Sequence, residues 1–403
     1  KIGASLEFRT KVLDPAQREL GQLALAFTDA MNTQNRLGMD ADGNLGGDLF
    51  TLPGFNALPF SSNTGSGAIT ASVVPGQGKN IPANDVRITF TAADAFTVEA
   101  LDASGNVIPG TAISRAGVTF PVTVTSDDTN DFFGLNITLT NGAPAFAAGD
   151  KFDLKPLSIA AQNISLATSR PEAIALASPL KGEKTLTNLG NAEIDKLSIT
   201  SVGQAGNRLS QPANFTDGPI SITYLGNNQF QIEDAGAPPV TETITFAGTD
   251  YQNLLGGSVN FANAGFDFSV KGVPQVGDTF SVGYNTGGFE DNRNGLILGD
   301  LQNADMVRIN AATTVNADKY QTFNQAYSEL VGTVGTQTSQ ARVAAASSKS
   351  LLEQTSAWHE SLSGVSLDEE AADLVRFQQT YAAAAKILST SQTIFDTLLQ
   401  AAR

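Results

Sequence analysis

From Leu374, alternating steps of three and four residues land on Phe377, Tyr381, Ala384, Leu388, Ser391, Phe395 and Leu398. All but Ser391 are apolar, and the spacing is that of a coiled-coil seam. Such a face is stable in water only against a partner. Leu367, Val375, Ala385 and Leu399 widen the stripe, and the small residues Ala382–Ala385 allow another helix to approach closely. An apolar helical stripe is more often internal core than interface. The length and width of this one favour an interface. The seam expected to carry assembly is Leu374, Phe377, Tyr381, Ala384, Leu388, Phe395 and Leu398.

A second seam precedes it. Tyr320, Phe323, Tyr327, Leu330, Val334, Gln337, Ala341, Ala344, Ser348, Leu351, Thr355 and Trp358 follow the same steps. Tyr320, Phe323, Tyr327, Leu330, Val334, Leu351 and Trp358 are the expected supporting positions. Gly332 and Gly335 each weaken the helix by about 1 kcal/mol. "SLSGVS" (361–366) interrupts the pattern. Ser366 and Glu369 then form a capping box, and Asp368 and Glu370 suit the positive end of the helix dipole. A helix over 367–402 is about 54 Å long at 1.5 Å per residue. By itself it should be frayed, or packed only on the 320–358 helix.

Near the other end, residues 14–36 read as a helix with Asp14 as N-cap and Pro15 in its first turn. Leu20, Leu23, Phe27 and Ala30 supply its apolar stripe, and Gly38 its stop. A loop dense in Gly, Ser, Asn and Pro follows.

From about residue 85 the period becomes that of strands. "VRITF" (86–90), "FTVEAL" (96–101), "VTFPVTV" (118–124), "LNITLT" (135–140) and "KFDL" (151–154) form one zone, with "DASGN" (102–106) as a break. "ISITYL" (220–225), "QFQI" (229–232), "TETITF" (241–246), "FDFSV" (266–270) and "DTFSVGY" (278–284) form another, with "GNN" (226–228) as a hairpin turn. Both zones place Gly-Asp-x-Phe at the start of a closing strand, a weak internal repeat.

The expected fold is therefore α+β and multidomain, which suits 403 residues. Residues 1–50 and 288–403 would form one discontinuous, coiled-coil-like helical domain from both chain ends. Two small β-domains would be inserted, at 51–160 behind the Gly/Ser/Pro-rich loop and at 208–287, with 161–207 connecting them.

Little in the chain suggests catalysis. His359 is the only histidine, and in "WHESL" Ser363 stands where a zinc-binding helix needs its second histidine. "DADGN" (40–44) alternates like a calcium loop, but Leu45 replaces the required Gly and Thr51 the bidentate Glu, so an Asx turn is expected. "GQGKN" (76–80) lacks phosphate-loop spacing. With 40 carboxylates, close acidic pairs arise by chance and support no glycosidase site. The absence of cysteine removes disulfides, thiol nucleophiles and thiolate metal sites. A net charge of −16 disfavours nucleic acid and anionic membranes, and no apolar run approaches a membrane span. No cofactor is expected.

"LDEEAADLVRFQQTYAAAAKILSTSQTIFDTLL" (367–399) resembles the C-terminal helix of bacterial flagellar axial proteins. Rod and hook proteins end in a related pattern, but this version is most similar to the hook-associated family of the hook–filament junction. "GFEDNRNGLILGDLQ" (288–302), residues 6–50 and residues 149–179 are similar to stretches of the same family. The resemblance implies a structural adaptor joining hook to filament, exported unfolded through the flagellar type III system and located outside the cell. It implies contacts with hook protein, with hook-associated protein 3 (the second junction protein), with copies of itself in a ring, and with an export chaperone on the C-terminal helix. The family begins with a helical segment that pairs with that helix, and this chain, opening at Lys1 in mid-pattern, is expected to be a fragment lacking it. A surface adhesin using the β-domains is the alternative, and a carbohydrate-active enzyme a distant third.

Overall fold

A computed structural model describes residues 2–126, 132–203, 208–209, 219–309, 319–363 and 366–402. The chain divides into two units, Lys1–Val334 and Gly335–Arg403.

The first unit opens with helix α1 (Ile2–Phe8), a π-turn (Arg9–Leu13) and helix α2 (Asp14–Arg36). Asp14 is not an N-cap. It is already helical, and its N–H donates to the carbonyl of Arg9, five residues back. Pro15 has no N–H to give Lys11 and its ring crowds that carbonyl, so one wide turn lets the helix pass through. The buried face of α2 also differs from the expected stripe. Leu20 and Phe27 remain about 40% exposed, whereas Gln22, Leu25, Ala26, Asp29, Asn32 and Asn35 are buried. Loop backbone covers that face, and backbone needs polar partners.

The first β-module has strands β1 (Phe55–Asn56), β2 (Leu58–Pro59), β3 (Ala68–Val73), β4 (Asp85–Ala92), β5 (Ala95–Leu101), β6 (Ile113–Arg115), β7 (Val122–Thr125), β8 (Leu135–Thr140) and β9 (Lys151–Leu154). They form two antiparallel sheets, ordered β2-β9-β4-β5-β6 and β1-β3-β8-β7. Residues 118–121, expected as strand, lie outside β7, and Pro121 follows a cis peptide bond. Alternating residues such as Ile88, Val98, Ile137 and Phe152 fill the core, joined by Leu25 of α2. Phe90 and Phe146 stack there at 4.1 Å between ring centroids.

The second β-module has strands β10 (Leu180–Lys184), β11 (Glu193–Ile199), β12 (Ile220–Gly226), β13 (Gln229–Glu233), β14 (Thr241–Thr245), β15 (Phe266–Lys271) and β16 (Thr279–Tyr284). Residues 161–207, expected as a connection, thus contribute β10 and β11, and Leu180 and Ala192 belong to this core. Asn227 and Asn228, both at positive φ, make the turn between β12 and β13.

The two modules share one plan. The main sheet is ordered β10-β16-β12-β13-β14, matching β2-β9-β4-β5-β6, and the ladder β11-β15 matches β3-β8. The correspondence extends to single hydrogen bonds. Asn63 Nδ2 donates to Lys151 O at 2.7 Å, and Lys151 N to Asn63 Oδ1 at 2.8 Å. Asn188 and Thr279 exchange the same two bonds, both at 2.8 Å. Next to them Asp150 accepts N–H bonds from Thr64, Gly65 and Ala147, as Asp278 does from Leu189, Gly190 and Gln275. Phe90 N donates to Asp150 O, and Tyr224 N to Asp278 O. The Gly-Asp-x-Phe repeat marks this cradle.

After the second module come helix α3 (Arg293–Asp300) and a two-residue ladder pairing Val307–Arg308 with Tyr320–Gln321. Helix α4 (Phe323–Ser363) and helix α5 (Leu367–Ala401) complete the chain. Glu369 N donates to Ser366 Oγ at 3.3 Å, the expected cap of α5.

A candidate assembly surface and its base

The base is an amide-lined seat on α2. Asn32 Oδ1 accepts from Leu49 and Phe50 N–H, and its Nδ2 donates to Phe50 O. Asn35 Nδ2 donates to the carbonyls of Gly47 and Ala173 while its Oδ1 accepts from Ala175 N. Gln22 Nε2 donates to the carbonyls of Ile81 and Arg308. Asp29 accepts from Gly76 and Gly78 N–H, and burial pushes its carboxyl above the usual range despite these bonds. Gly21 is required on this face, because an added Cβ would stand 2.1 Å from Leu157 O.

The "DNRN" turn fastens the second module to this base. Arg293 Nη2 donates to Leu180 O at 2.6 Å and to Asp291 Oδ2 at 2.6 Å. Burial would raise the Asp291 carboxyl, but the Arg293 bonds outweigh it and hold it below the usual range. Asn294 Nδ2 donates to Ala175 O at 2.5 Å, and its Oδ1 accepts from Gln34 Nε2 at 2.6 Å. Gly38 lies against Asn294, where an added Cβ would stand 2.1 Å from Nδ2. The "DADGN" segment is an Asx turn, with Asp40 Oδ1 accepting from Asp42 and Asn44 N–H. Tyr284 donates its hydroxyl to Gly43 O at 3.3 Å, and burial, then nearby Asp40, push its pKa up to about 12.

The supporting positions divide. Phe323 meets Phe27 edge-on at 5.6 Å, Leu330 is buried, and Tyr320 donates its hydroxyl to Asn80 Oδ1 at 2.7 Å. Val334 is half-buried and Tyr327 exposed. Leu351 and Trp358 are exposed on α4. Every assembly position on α5 is exposed: Phe377 by 65%, Tyr381 by 80% and Phe395 by 63%, with Leu374, Ala384, Leu388 and Leu398 alike. Helix α5 is formed over Leu367–Ala401, and none of its residues is buried.

Among the described residues, no group of three histidines or carboxylates could hold a metal ion. No described helix is long and apolar enough to cross a membrane.

The polar seat escaped the sequence reading. Its signal is present, in that Gln22, Asp29, Asn32 and Asn35 recur at helical spacing opposite the apolar stripe.

Residues 1–50 match the model of the flagellar hook-associated protein FlgK helical domain, and residues 360–401 that of the flagellar basal body rod FlgEFG protein C-terminal region. Flagellar hook-associated protein 1 of Salmonella typhimurium is 27% identical over 398 residues, covering 99% of this chain and 49% of that protein. Its namesake in Escherichia coli is 28% identical, covering 99% and 48%. The chain thus spans about half the length of the curated relatives it matches. The solved structure of the flagellar hook junction protein FlgK from Burkholderia pseudomallei superposes with a TM-score of 0.64 at 28% identity, over 90% of this chain and 62% of that one. At both ends and through the fold, the chain is thus similar to flagellar hook-associated protein 1.

Proposed function

We propose that this chain is a structural adaptor at the junction of flagellar hook and filament, assembled by packing of its terminal helices. It is not an enzyme. The observation that carries the reading is α5, a 35-residue helix whose apolar seam is exposed along its whole length. Isolated helices are marginal in water, and a face of that size is retained where assembly covers it. Hook protein, hook-associated protein 3 and further copies of the chain are the proposed neighbours in the flagellum. Passage through the flagellar type III system, with a chaperone sheltering α5 until secretion, would keep the seam from aggregating. The β-modules would then serve as spacers outside the helical core, beyond the cell surface.

The test is electron microscopy of cells whose gene copy carries Phe377→Asp and Phe395→Asp, beside a deletion strain. Hooks without filaments in both, with the purified variant keeping its strand signal by circular dichroism, would support the adaptor. Complete filaments in the deletion strain would refute it and bring forward an adhesin role for the β-modules.

A further inference from the structure

The two β-modules meet the base differently. The first shares its core with the base, because Leu25 of α2 belongs to that core, and Arg18 of α2 reaches Asp85 of β4 at 3.9 Å. The core of the second is built from side chains between Leu180 and Tyr284, with none from α2 or α3 among the described residues. Its chain enters through Ser178–Leu180 and leaves through Tyr284–Asp291, and one knot of hydrogen bonds gathers both segments. Asn285 N donates to Pro179 O at 2.8 Å, and Asn285 Nδ2 to Ser178 O at 3.0 Å and to Asp291 Oδ2 at 2.8 Å. Asp291 Oδ2 also accepts from Ser178 N at 3.3 Å. Arg293, at the start of α3, ties this carboxylate to Leu180 O, both at 2.6 Å. A cleft of about 820 Å³ lies beside the neck. Lys181, Glu183, Ser281 and Gly283 of the sheet line one side, and Asn292 and Arg293 of the turn the other. Lys181 pairs with Glu183 on its own side, at 2.9 Å, and Gly283 has no side chain to fill the space.

We propose that the second β-module is a hinged body, and that the clamp of Asp291 and Arg293 sets its angle on the base. Bodies joined without a large apolar interface move relative to one another by default. Hinges are a few residues at the ends of elements, as Ser178–Leu180 and Tyr284–Asn285 are here, at the start of β10 and the end of β16. Those two strands pair with each other, Leu180 opposite Tyr284, so the two segments turn as one. A planar guanidinium bonded to a carboxylate and a carbonyl fixes direction as well as distance. Arg293 is therefore a positioning residue for the whole module. Tilting toward the turn narrows the cleft and tilting away widens it. The first module, sharing its core with α2, stays fixed in both. One base thus carries a rigid module and a movable one.

A chain without cysteine permits a direct test, because nitroxide labels go only where a cysteine is introduced. Three pairs are made in the full chain at exposed positions. Gln162→Cys with Thr245→Cys spans the neck. Gln162→Cys with Ser114→Cys reports the first module, and Lys196→Cys with Thr245→Cys the second. Pulsed electron resonance reads the distribution of label distances, with labelled chain diluted in unlabelled chain so that neighbouring copies contribute nothing. Arg293→Gln should broaden the distribution across the neck about twofold and leave both internal pairs unchanged. Arg293→Lys keeps the charge without the fork, and its width should fall between those of the parent and Arg293→Gln. It also carries the test if Arg293→Gln fails to fold. A width across the neck that neither substitution changes would overturn the proposal. So would equal broadening of the Lys196–Thr245 pair, which would mean that the module loosens internally rather than swings.

Discussion

Asp150 and Asp278, 128 positions apart in the chain, perform the same task in different cores: each accepts three backbone N–H bonds that pin a Gly-containing loop beside the closing strand. Hydrogen bonds to a charged acceptor contribute about 1.5–3 kcal/mol each, and a buried N–H left alone carries its own cost. Asp150→Asn and Asp278→Asn each retain part of this acceptor capacity, so each should destabilise its own module by about 2 kcal/mol. Amide exchange resolved by segment checks this. Loss of protection in both modules from one substitution would contradict separate cores.

Acid should act unevenly. Burial would raise the carboxyls of Asp234 and Glu242, but backbone N–H bonds, with Arg208 at Asp234 and Ser258 at Glu242, hold both below their ordinary values of 3.8 and 4.5. Their stabilisation is present above those values and lost as pH falls through the lower native ones. Burial holds Asp29 of the α2 seat, and Asp85 at the start of β4, 3.9 Å from Arg18 of α2, above the ordinary value of 3.8. Protonation there favours the native state, so that contribution grows as pH falls through the raised native values. Below about pH 4 the second module should lose amide protection before the α2 seat does. Simultaneous loss would show that other groups dominate.

Gly21→Ala sets two effects against each other. Alanine in a helix interior gains about 1 kcal/mol over glycine. The new methyl, 2.1 Å from Leu157 O, must displace backbone, and overpacking costs about 1–3 kcal/mol. Net destabilisation and a lowered melting temperature are expected. An increase would mean that the loop yields freely.

Gly332 and Gly335 supply the contrasting case, because a Cβ at either would meet nothing within 4 Å. Gly332→Ala and Gly335→Ala should each stabilise α4 by about 1 kcal/mol. The helical signal on heating reports it. A loss would indicate that the glycines serve a close contact made in assembly.

The strands of both modules were legible where alternation was clean. "LNITLT" and "KFDL" coincide with β8 and β9, and the "GNN" turn lies where composition puts it. Strands β10 (LKGEK) and β11 (EIDKLSI) were not legible, because each stands at the edge of its ladder and carries the charged residues that edges tolerate. The apolar stripe of α2 misled for a physical reason. An apolar stripe marks a core-facing surface when the covering layer is side chains, but loop backbone covers α2, and Asn32 and Asn35 answer it. The α5 seam was legible as a pattern, and its complete exposure could be read only from the structure.

Two cores of one plan in a single chain also carry a kinetic hazard. During folding, β9 could add to the sheet meant for β16, the kind of misassembly to which repeated domains are prone. The likeness extends beyond the cradle, since with Phe90 matched to Tyr224 the segment VRITF of β4 answers ISITY of β12. The two sheets differ where the closing strand pairs: Arg87 of β4 bonds Asp153 of β9, whereas in the second module Ser221 faces Ser281. That ion pair lets β9 distinguish its own sheet from its neighbour's.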